Sequence, residues 1–441
     1  MQAHLEQIAA FNSAINAAVE VFNEGAIAEA RAADQAVARR ECQGSLHGVP
    51  FSLKDSIELA GTVCTAGTLG RAGAQPPTED ATLVRHLRAA GAIPIAKTNL
   101  PDLLFAFETD NLIFGATNNP YDLARTSGGS SGGEAALIAC CGSPFGLGSD
   151  AAGSVRLPAA FCGIASIKPT SGRLPRTGHF PPPGGWIEAL WQIGPMARRT
   201  VDLSAIMSLL VGSDGRDATA LDMPFADPSH VDLRQLRVAF YTTNGLAPTH
   251  PEVSHVIHNV AGVLERECLL VREDRPGCLE TAYDLEMKLL GADGGDSLWQ
   301  YLEELGSSSV HPLLRSWLEK LENYRVTLAG FQNYWAQWDR YRAEMFTFLQ
   351  NYDVILCPAY TQAALLHGTS SLDENFRGFS HTMAFNLTGW PAAVVRCGES
   401  ASGLPIGVQI VARPWRDDVA LAVISRLEEI FGGWQAPALI E

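Results

Sequence analysis

Two glycine-rich turns carry the side chains best suited to chemistry. The first reads Gly128-Gly129-Ser130-Ser131-Gly132-Gly133-Glu134, and the second reads Gly148-Ser149-Asp150-Ala151-Ala152-Gly153-Ser154-Val155-Arg156. Glycine lets backbone approach a substrate and adopt angles closed to other residues. A serine on such a turn can be a nucleophile, and the turn's N–H groups can hold an oxyanion. The serine must be activated, and no histidine lies between the two turns. A lysine can serve if its pKa falls, which burial and nearby positive potential achieve by up to about 3–5 units. Lys54 ends the apolar run Val49-Pro-Phe-Ser-Leu53 and suits that role. From local sequence alone it reads equally as a surface lysine paired with Asp55.

Three other patterns fit these glycines less well. Gly146-Leu-Gly148-Ser-Asp-Ala151 has the outline of a dinucleotide fingerprint, but Ser-Gly-Arg stands where an acidic residue should follow about 20 residues on. A phosphate-binding loop needs Gly-Lys-Ser/Thr, and no lysine follows either run. Gly128-Gly-Ser130-Ser-Gly132 resembles a nucleophile elbow, which requires a strand directly before it. Residues 119–127 read instead as a loop, and nothing around His381 suggests a base.

The elements that must position these residues are legible in the apolar spacing. Residues 3–40 predict one or two helices, with Leu5, Ile8, Phe11, Ile15 and Val19 on one face. Val49 to Leu53 predicts a strand ending at Lys54-Asp55. Residues 79–90 predict a helix closed by Gly91, and Ile93 to Lys97 the next strand. This strand–helix–strand unit implies an α/β fold with a mixed, mainly parallel twisted sheet covered by helices on both faces. Gly132–Cys141 predicts a helix, and Phe145–Ser149 a buried strand whose C-terminal end carries the second turn. Ligand sites in α/β sheets gather at such ends, which places Lys54 and Ser154 together. Further strands are expected at Arg237–Tyr241, Val354–Pro358, Ala392–Arg396 and Ile406–Val411, with helices at Ser380–Leu387 and Val419–Ile430. Phe331, Trp335, Trp338, Met345 and Leu349 read as a packed helix face.

The 441 residues suggest two or three domains by length, although single large α/β units reach this size. A net charge of −16 argues against nucleic acid or anionic membrane as partners. No apolar run of about 18 residues predicts a membrane span, and the first residues lack a signal-peptide pattern. The nine cysteines have no metal spacing. Their odd number and apolar settings suggest reduced thiols and a cytoplasmic location. No metal or cofactor is expected, and a homodimer is left open.

The chain resembles the amidase signature family of serine hydrolases. The resemblance rests on Leu46-His-Gly-Val-Pro-Phe-Ser-Leu-Lys54-Asp, Ala96-Lys-Thr-Asn99, Phe114-Gly-Ala-Thr-Asn-Asn-Pro120, the two glycine turns, Lys168-Pro-Thr170 and Ile193-Gly-Pro-Met-Ala-Arg198. Asn386-Leu-Thr-Gly-Trp-Pro-Ala392 and Gly403-Leu-Pro-Ile-Gly-Val-Gln409 extend it toward the C-terminus. It implies one amidase domain over residues 1–441. Within it, 45–213 is the signature core, 215–350 a helix-rich substrate-covering region, and 352–432 the C-terminal part of the sheet.

Carried over by position, the resemblance implies that Ser154 is the nucleophile and Lys54 the base. Ser130, following a cis peptide after Gly129, would relay the proton between them. Ser131 would hydrogen-bond within the network, and Asp150 and Arg156 match structural positions. The N–H groups of Ala151, Ala152, Gly153 and Ser154 would form the oxyanion hole. Two departures stand out. Ala152 replaces a usual glycine, at a cost of roughly 1 kcal/mol if the turn needs positive φ there. The family's leading helix is expected to be short or absent.

The implied reaction cleaves the C–N bond of a carboxylic amide through an acyl-enzyme on Ser154. Leu104, Phe105, Phe107, Phe180 and Trp191 lie where the family often lines its acyl pocket, although they read equally as core. They favour a hydrophobic or aryl amide, with esters and carbamates as related substrates. One rival is the glutaminase subunit of a tRNA-dependent amidotransferase, which would need both a cation, such as Arg377, and an acid in the pocket for its zwitterionic glutamine. The other is an inactive binding protein, against which Lys54, Ser130 and Ser154 all count.

Overall fold

Phe51 and Leu53 project to one side of a strand, Ser52 and Lys54 to the other, and all four are buried. The same two-residue alternation runs through the sheet and needs apolar cover on both faces. A computed structural model describes residues 1–440; Glu441, the last residue of the expected 1–441 domain, lies outside the described residues.

Eleven strands form one mixed sheet. They are β1 (Ala18–Val21), β2 (Pro50–Lys54), β3 (Ile93–Thr98), β6 (Phe145–Asp150), β7 (Ala165–Lys168), β8 (Gln192–Ala197), β9 (Arg237–Phe240), β10 (Leu270–Glu273), β11 (Val354–Pro358), β12 (Ala392–Glu399) and β13 (Pro405–Ala412). Two short strands, β4 (Asn118–Asn119) and β5 (Asp122–Thr126), make a separate hairpin. The sheet order is β1-β3-β2-β6-β8-β7-β12-β13-β11-β9-β10. Neighbours are parallel in the blocks β3-β2-β6 and β11-β9-β10 and antiparallel through the middle and at β1.

One face packs under helices Thr82–Ala89, Thr200–Leu210, Pro251–Glu267 and Asp417–Phe431 in the largest apolar cluster. The other face takes helices Ala282–Leu290, Leu328–Phe348 and Ser380–Leu387 over β11, β12 and β13. Helices Gly132–Ala139 and Arg156–Phe161 pack together in another cluster with Val394 of β12.

Three local outcomes differ from the expectations. Ala18–Val21 lies inside the predicted helical run but is a strand. The first helix, Gln2–Ile15, stops at Asn16 in the left-handed region (φ 48°), and the chain turns onto the exposed edge of β3. Residues 119–127, expected as a loop, contain the β4-β5 hairpin, which stands outside the main sheet. The motif-poor region also supplies β10, where partly exposed Leu270 and Val271 give little apolar signal.

The parallel pairing of β2 with β6 matters most for function. Ser52 lies beside Gly146 and Leu53 beside Leu147, so both strands end at the same rim of the sheet. A buried clamp fixes the turn beyond β6. Arg156 donates from Nε to Asp150 Oδ2 and from Nη2 to Oδ1, each at 2.9 Å. Its Nη1 donates to Thr382 O (3.0 Å) and Gln409 Oε1 (2.6 Å), and Nη2 also to Asn386 Oδ1 (2.5 Å). One guanidinium thus joins β6, the helix Ser380–Leu387 and β13. Replacing Arg156 with Met should strand a buried carboxylate and lower stability by about 3–5 kcal/mol. Thermal or denaturant unfolding measures this, and an unchanged midpoint would contradict the clamp's importance.

Candidate active site

Lys54 closes β2 with its side chain fully buried on the face that carries helix Gly132–Ala139. Its Nζ lies 2.6 Å from Ser130 Oγ, 3.1 Å from Ser149 Oγ and 3.4 Å from Ser149 O. Burial pulls the amine down to about 7, against the opposing pull of the Asp150 and Glu134 carboxylates. Near neutrality, much of the lysine is therefore uncharged. The surface pairing with Asp55 does not occur: Asp55 Oδ1 lies 3.2 Å from Lys97 Nζ, and its other oxygen accepts from Thr65.

The first glycine turn leads into the helix Gly132–Ala139, and the Gly129–Ser130 peptide is cis. A Cβ at Gly129 would come within 2.7 Å of Ala106 O and 2.8 Å of Glu108 N, so backbone packs directly against this turn. The Ser131 N–H donates to Ser154 O at 3.1 Å, stitching the two turns together. Ser131 Oγ donates to Ser149 O (3.3 Å).

The second turn is shaped by Asp150, whose Oδ1 accepts from Gly153 N (2.8 Å) and Oδ2 from Val155 N (3.1 Å). Burial alone would raise this carboxyl, but Arg156 and Asn386 hold it well below the usual carboxylate range. The positive φ of the turn falls at Gly153 (122°), where a Cβ would run into the Thr382 side chain. Ala152 does not have positive φ, so its methyl is tolerated without that strain.

This geometry changes the expected oxyanion hole. The Gly153 N–H is committed to Asp150 and unavailable to a substrate. The N–H groups of Ala151, Ala152 and Ser154 have no hydrogen bond among the described residues, and all three residues line the cavity. The Ser154 hydroxyl likewise has no hydrogen bond among the described residues.

A cavity of about 870 Å³, counted out to its mouth, opens over Ser130 and Ser154. Phe105, Phe107, Leu190, Trp191, Leu290 and Trp317 supply much of its wall. No lysine or arginine lines it among the described residues.

Against known proteins, residues 1–421 match the family model described as Amidase. Fatty-acid amide hydrolase 2 of Homo sapiens is 32% identical, over 99% of this chain and 86% of its own length. A glutamyl-tRNA(Gln) amidotransferase subunit of Chloroflexus aggregans is also 32% identical, over 96% of this chain and 90% of its own. A solved 6-aminohexanoate cyclic dimer hydrolase complexed with substrate superposes with a TM-score of 0.87 at 26% identity, covering 100% of this chain and 95% of that one. The chain belongs to the amidase signature family of hydrolases. These relatives carry different names for what they act on, so family membership alone leaves this amidase's substrate open.

Of the pocket residues expected for this amidase, Leu104, Phe105, Phe107 and Trp191 line the cavity. Phe180 does not. Its ring stacks on Tyr301, with centroids 6.1 Å apart, and lies under the Arg71 guanidinium at 3.7 Å, within a separate apolar cluster. Arg377 is exposed and away from the cavity wall.

Sequence reasoning missed three groups. His179 is buried 4.5 Å from the Trp191 ring, with Nδ1 3.0 Å from Pro181 O and Nε2 3.0 Å from Ser149 Oγ. The Pro181 carbonyl can only accept, so Nδ1 carries the proton and Nε2 accepts from the Ser149 hydroxyl. Burial, reinforced by Lys54, lowers this histidine to about 3 and keeps it neutral. Glu134 is buried beside β2, accepting from Ser52 Oγ and from Thr98 Oγ1 (2.8 Å), and burial raises it to about 7. Glu286 enters from helix Ala282–Leu290 and lines the cavity. The Glu-Ala-Ala run after Gly133 is the only one of the three signals adjacent to a recognised motif.

A depressed lysine has a stability signature. Between about pH 7 and its unfolded value of 10.5, the unfolded chain holds a proton that the folded chain has released. Stability therefore rises with pH across that window. Unfolding free energies of wild type minus Lys54→Met should climb from pH 7 toward pH 10. A difference that stays level, or falls, would show that the folded amine keeps its proton.

Proposed function

We propose that this chain hydrolyses hydrophobic or aryl carboxylic amides through an acyl-enzyme on Ser154, with related carbamates and esters as further substrates. The observation that carries the reading is Lys54 Nζ at 2.6 Å from Ser130 Oγ, fully buried and drawn down to about 7, beneath an apolar cavity that also holds Ser154.

As a neutral amine, Lys54 directs its two N–H bonds at Ser149 Oγ and Ser149 O. Its lone pair then accepts from the Ser130 hydroxyl. Ser130 Oγ is left free to accept the Ser154 proton as Ser154 attacks the substrate carbonyl. The negative charge forms on the carbonyl oxygen, where the N–H groups of Ala151, Ala152 and Ser154 stabilise it. Collapse of the tetrahedral adduct breaks the C–N bond, and the proton returns through Ser130 to the departing amine. Water then enters by the same relay and releases the acid. Ser149 and His179 are positioning residues: their hydrogen bonds orient the amine so that its lone pair faces Ser130.

The glutaminase alternative draws on the likeness to an amidotransferase component. Glutamine carries a carboxylate, which needs a cation when taken out of water. The cavity wall offers none among the described residues, and Arg377 stands apart from it. The apolar wall favours amides without charge.

Purified protein should release amine from anilides and fatty amides faster than ammonia from glutamine. Glutamine as the best substrate would overturn the assignment of substrate class. Ser154→Ala should lower turnover by a factor of about 10³ or more and abolish labelling by a fluorophosphonate. Wild-type activity in that variant would remove Ser154 from the mechanism. Activity should rise with pH through about 7, because the base works only when unprotonated. A profile flat from pH 6 to 9 would count against lysine as the base.

A further inference from the structure

Glu286 is the buried ionisable group in the cavity that the reaction above does not use. It sits on helix Ala282–Leu290, is 1% exposed, and lines the same cavity as Ser130 and Ser154. It makes no hydrogen bond among the described residues, and its Oε2 is enclosed without a partner. The nearby Arg156 cannot serve it, because that guanidinium is committed to Asp150, Thr382, Gln409 and Asn386. Tyr341, on a packed neighbouring helix, donates instead to Ala384 O. Burial drives the Glu286 carboxyl well above its ordinary range, and enclosure without a cation partner favours the neutral acid, which has one donor and one acceptor. Buried polar groups are nearly always hydrogen-bonded, and one without a partner at the wall of a ligand cavity calls for a ligand group.

We propose that Glu286 is a specificity-determining residue that pairs with a second neutral carboxamide or carbamate group, carried away from the scissile bond on an otherwise apolar substrate. A carboxamide presents one N–H and one C=O side by side, matching the acceptor and donor of a protonated carboxyl in a two-bond pair. The pair leaves the cavity uncharged, as its apolar wall requires. An ammonium would bring a charge into a wall made mostly of apolar side chains, Leu190, Leu290 and Trp317 among them. This inference rests on the amide-hydrolase reading and narrows its substrate.

The test uses three p-nitroanilides of equal chain length, ending in a methyl, a carboxamide or an ammonium group. Wild type should favour the carboxamide over the methyl by roughly tenfold or more in kcat/KM, mainly through KM. Glu286→Gln, which keeps a donor and an acceptor, should retain the preference. Glu286→Leu should bring the ratio to about one. Equal use of methyl and carboxamide by wild type would overturn the proposal, as would a preference surviving in Glu286→Leu. A preference for the ammonium compound would overturn it too. The wild-type ratio alone decides if a variant fails to fold. Failure of the underlying hydrolase reading looks different: none of the three anilides would be cleaved, and Ser154 would not react with a fluorophosphonate.

Discussion

The buried ion pair between Asp150 and Arg156 is the constraint on which the rest of the site depends. Both side chains are fully enclosed, and two charges leave water at a cost of several kcal/mol each unless every donor and acceptor is matched. Here they are matched. Arg156 directs its donors to the Asp150 carboxylate, a backbone carbonyl and two side-chain amide oxygens, while Asp150 also receives the Gly153 and Val155 amides and the Asn386 side chain. The second turn can therefore close in one way only. Gly153 turns its N–H inward to the carboxylate and takes the positive φ, and the amides on either side of it are left unsatisfied beside the cavity.

That arrangement explains how Ala152 is accommodated. At a position with positive φ, an alanine would be strained by its Cβ. The carboxylate instead fixes the strained conformation one residue later, where only glycine fits under Thr382. The Thr382 hydroxyl lies 2.6 Å from Ala152 O and 2.9 Å from Phe379 O, so helix Ser380–Leu387 braces the turn from the cavity's far side.

The sequence made the proposed catalytic trio and the rim of the sheet legible because those features are local. A strand ending in Lys54, a glycine turn opening a helix and a second turn closing a buried strand each occupy a few adjacent residues. The two-residue alternation of Phe51, Ser52, Leu53 and Lys54 also states which face each side chain must take. What was not legible depends on partners far along the chain. Whether Lys54 is buried turns on Asp55 being claimed by Lys97, 42 residues later. His179 reaches Ser149 from a proline-rich loop, and Glu286 arrives on a helix whose sequence looks like any other amphipathic segment. Phe180 was misplaced for the converse reason: its loop borders the cavity, but the ring turns outward to Tyr301 and Arg71. The strand Ala18–Val21 was hidden by the helical composition around it, since its identity comes from the free edge of β3.

Keeping Lys54 neutral lowers stability, and the surroundings show why that loss is not relieved. A fall from 10.5 to about 7 corresponds to on the order of 5 kcal/mol of folding free energy withheld near neutral pH. The nearby carboxylates could have cancelled it, but both are otherwise engaged. Asp150 is held by Arg156, and Glu134 is itself raised toward 7 by burial, so its negative charge is only partly present beside the amine. Charge that would stabilise an ammonium is thus diverted or suppressed at each neighbouring position. Ser149 and neutral His179 then supply hydrogen-bond direction without supplying charge. Separating orientation from charge in this way lets a lysine remain both ordered and basic beneath an apolar cavity; a cationic histidine at position 179 would have to donate from Nε2, losing the bond it accepts from the Ser149 hydroxyl, while its charge pushed the amine's pKa lower still.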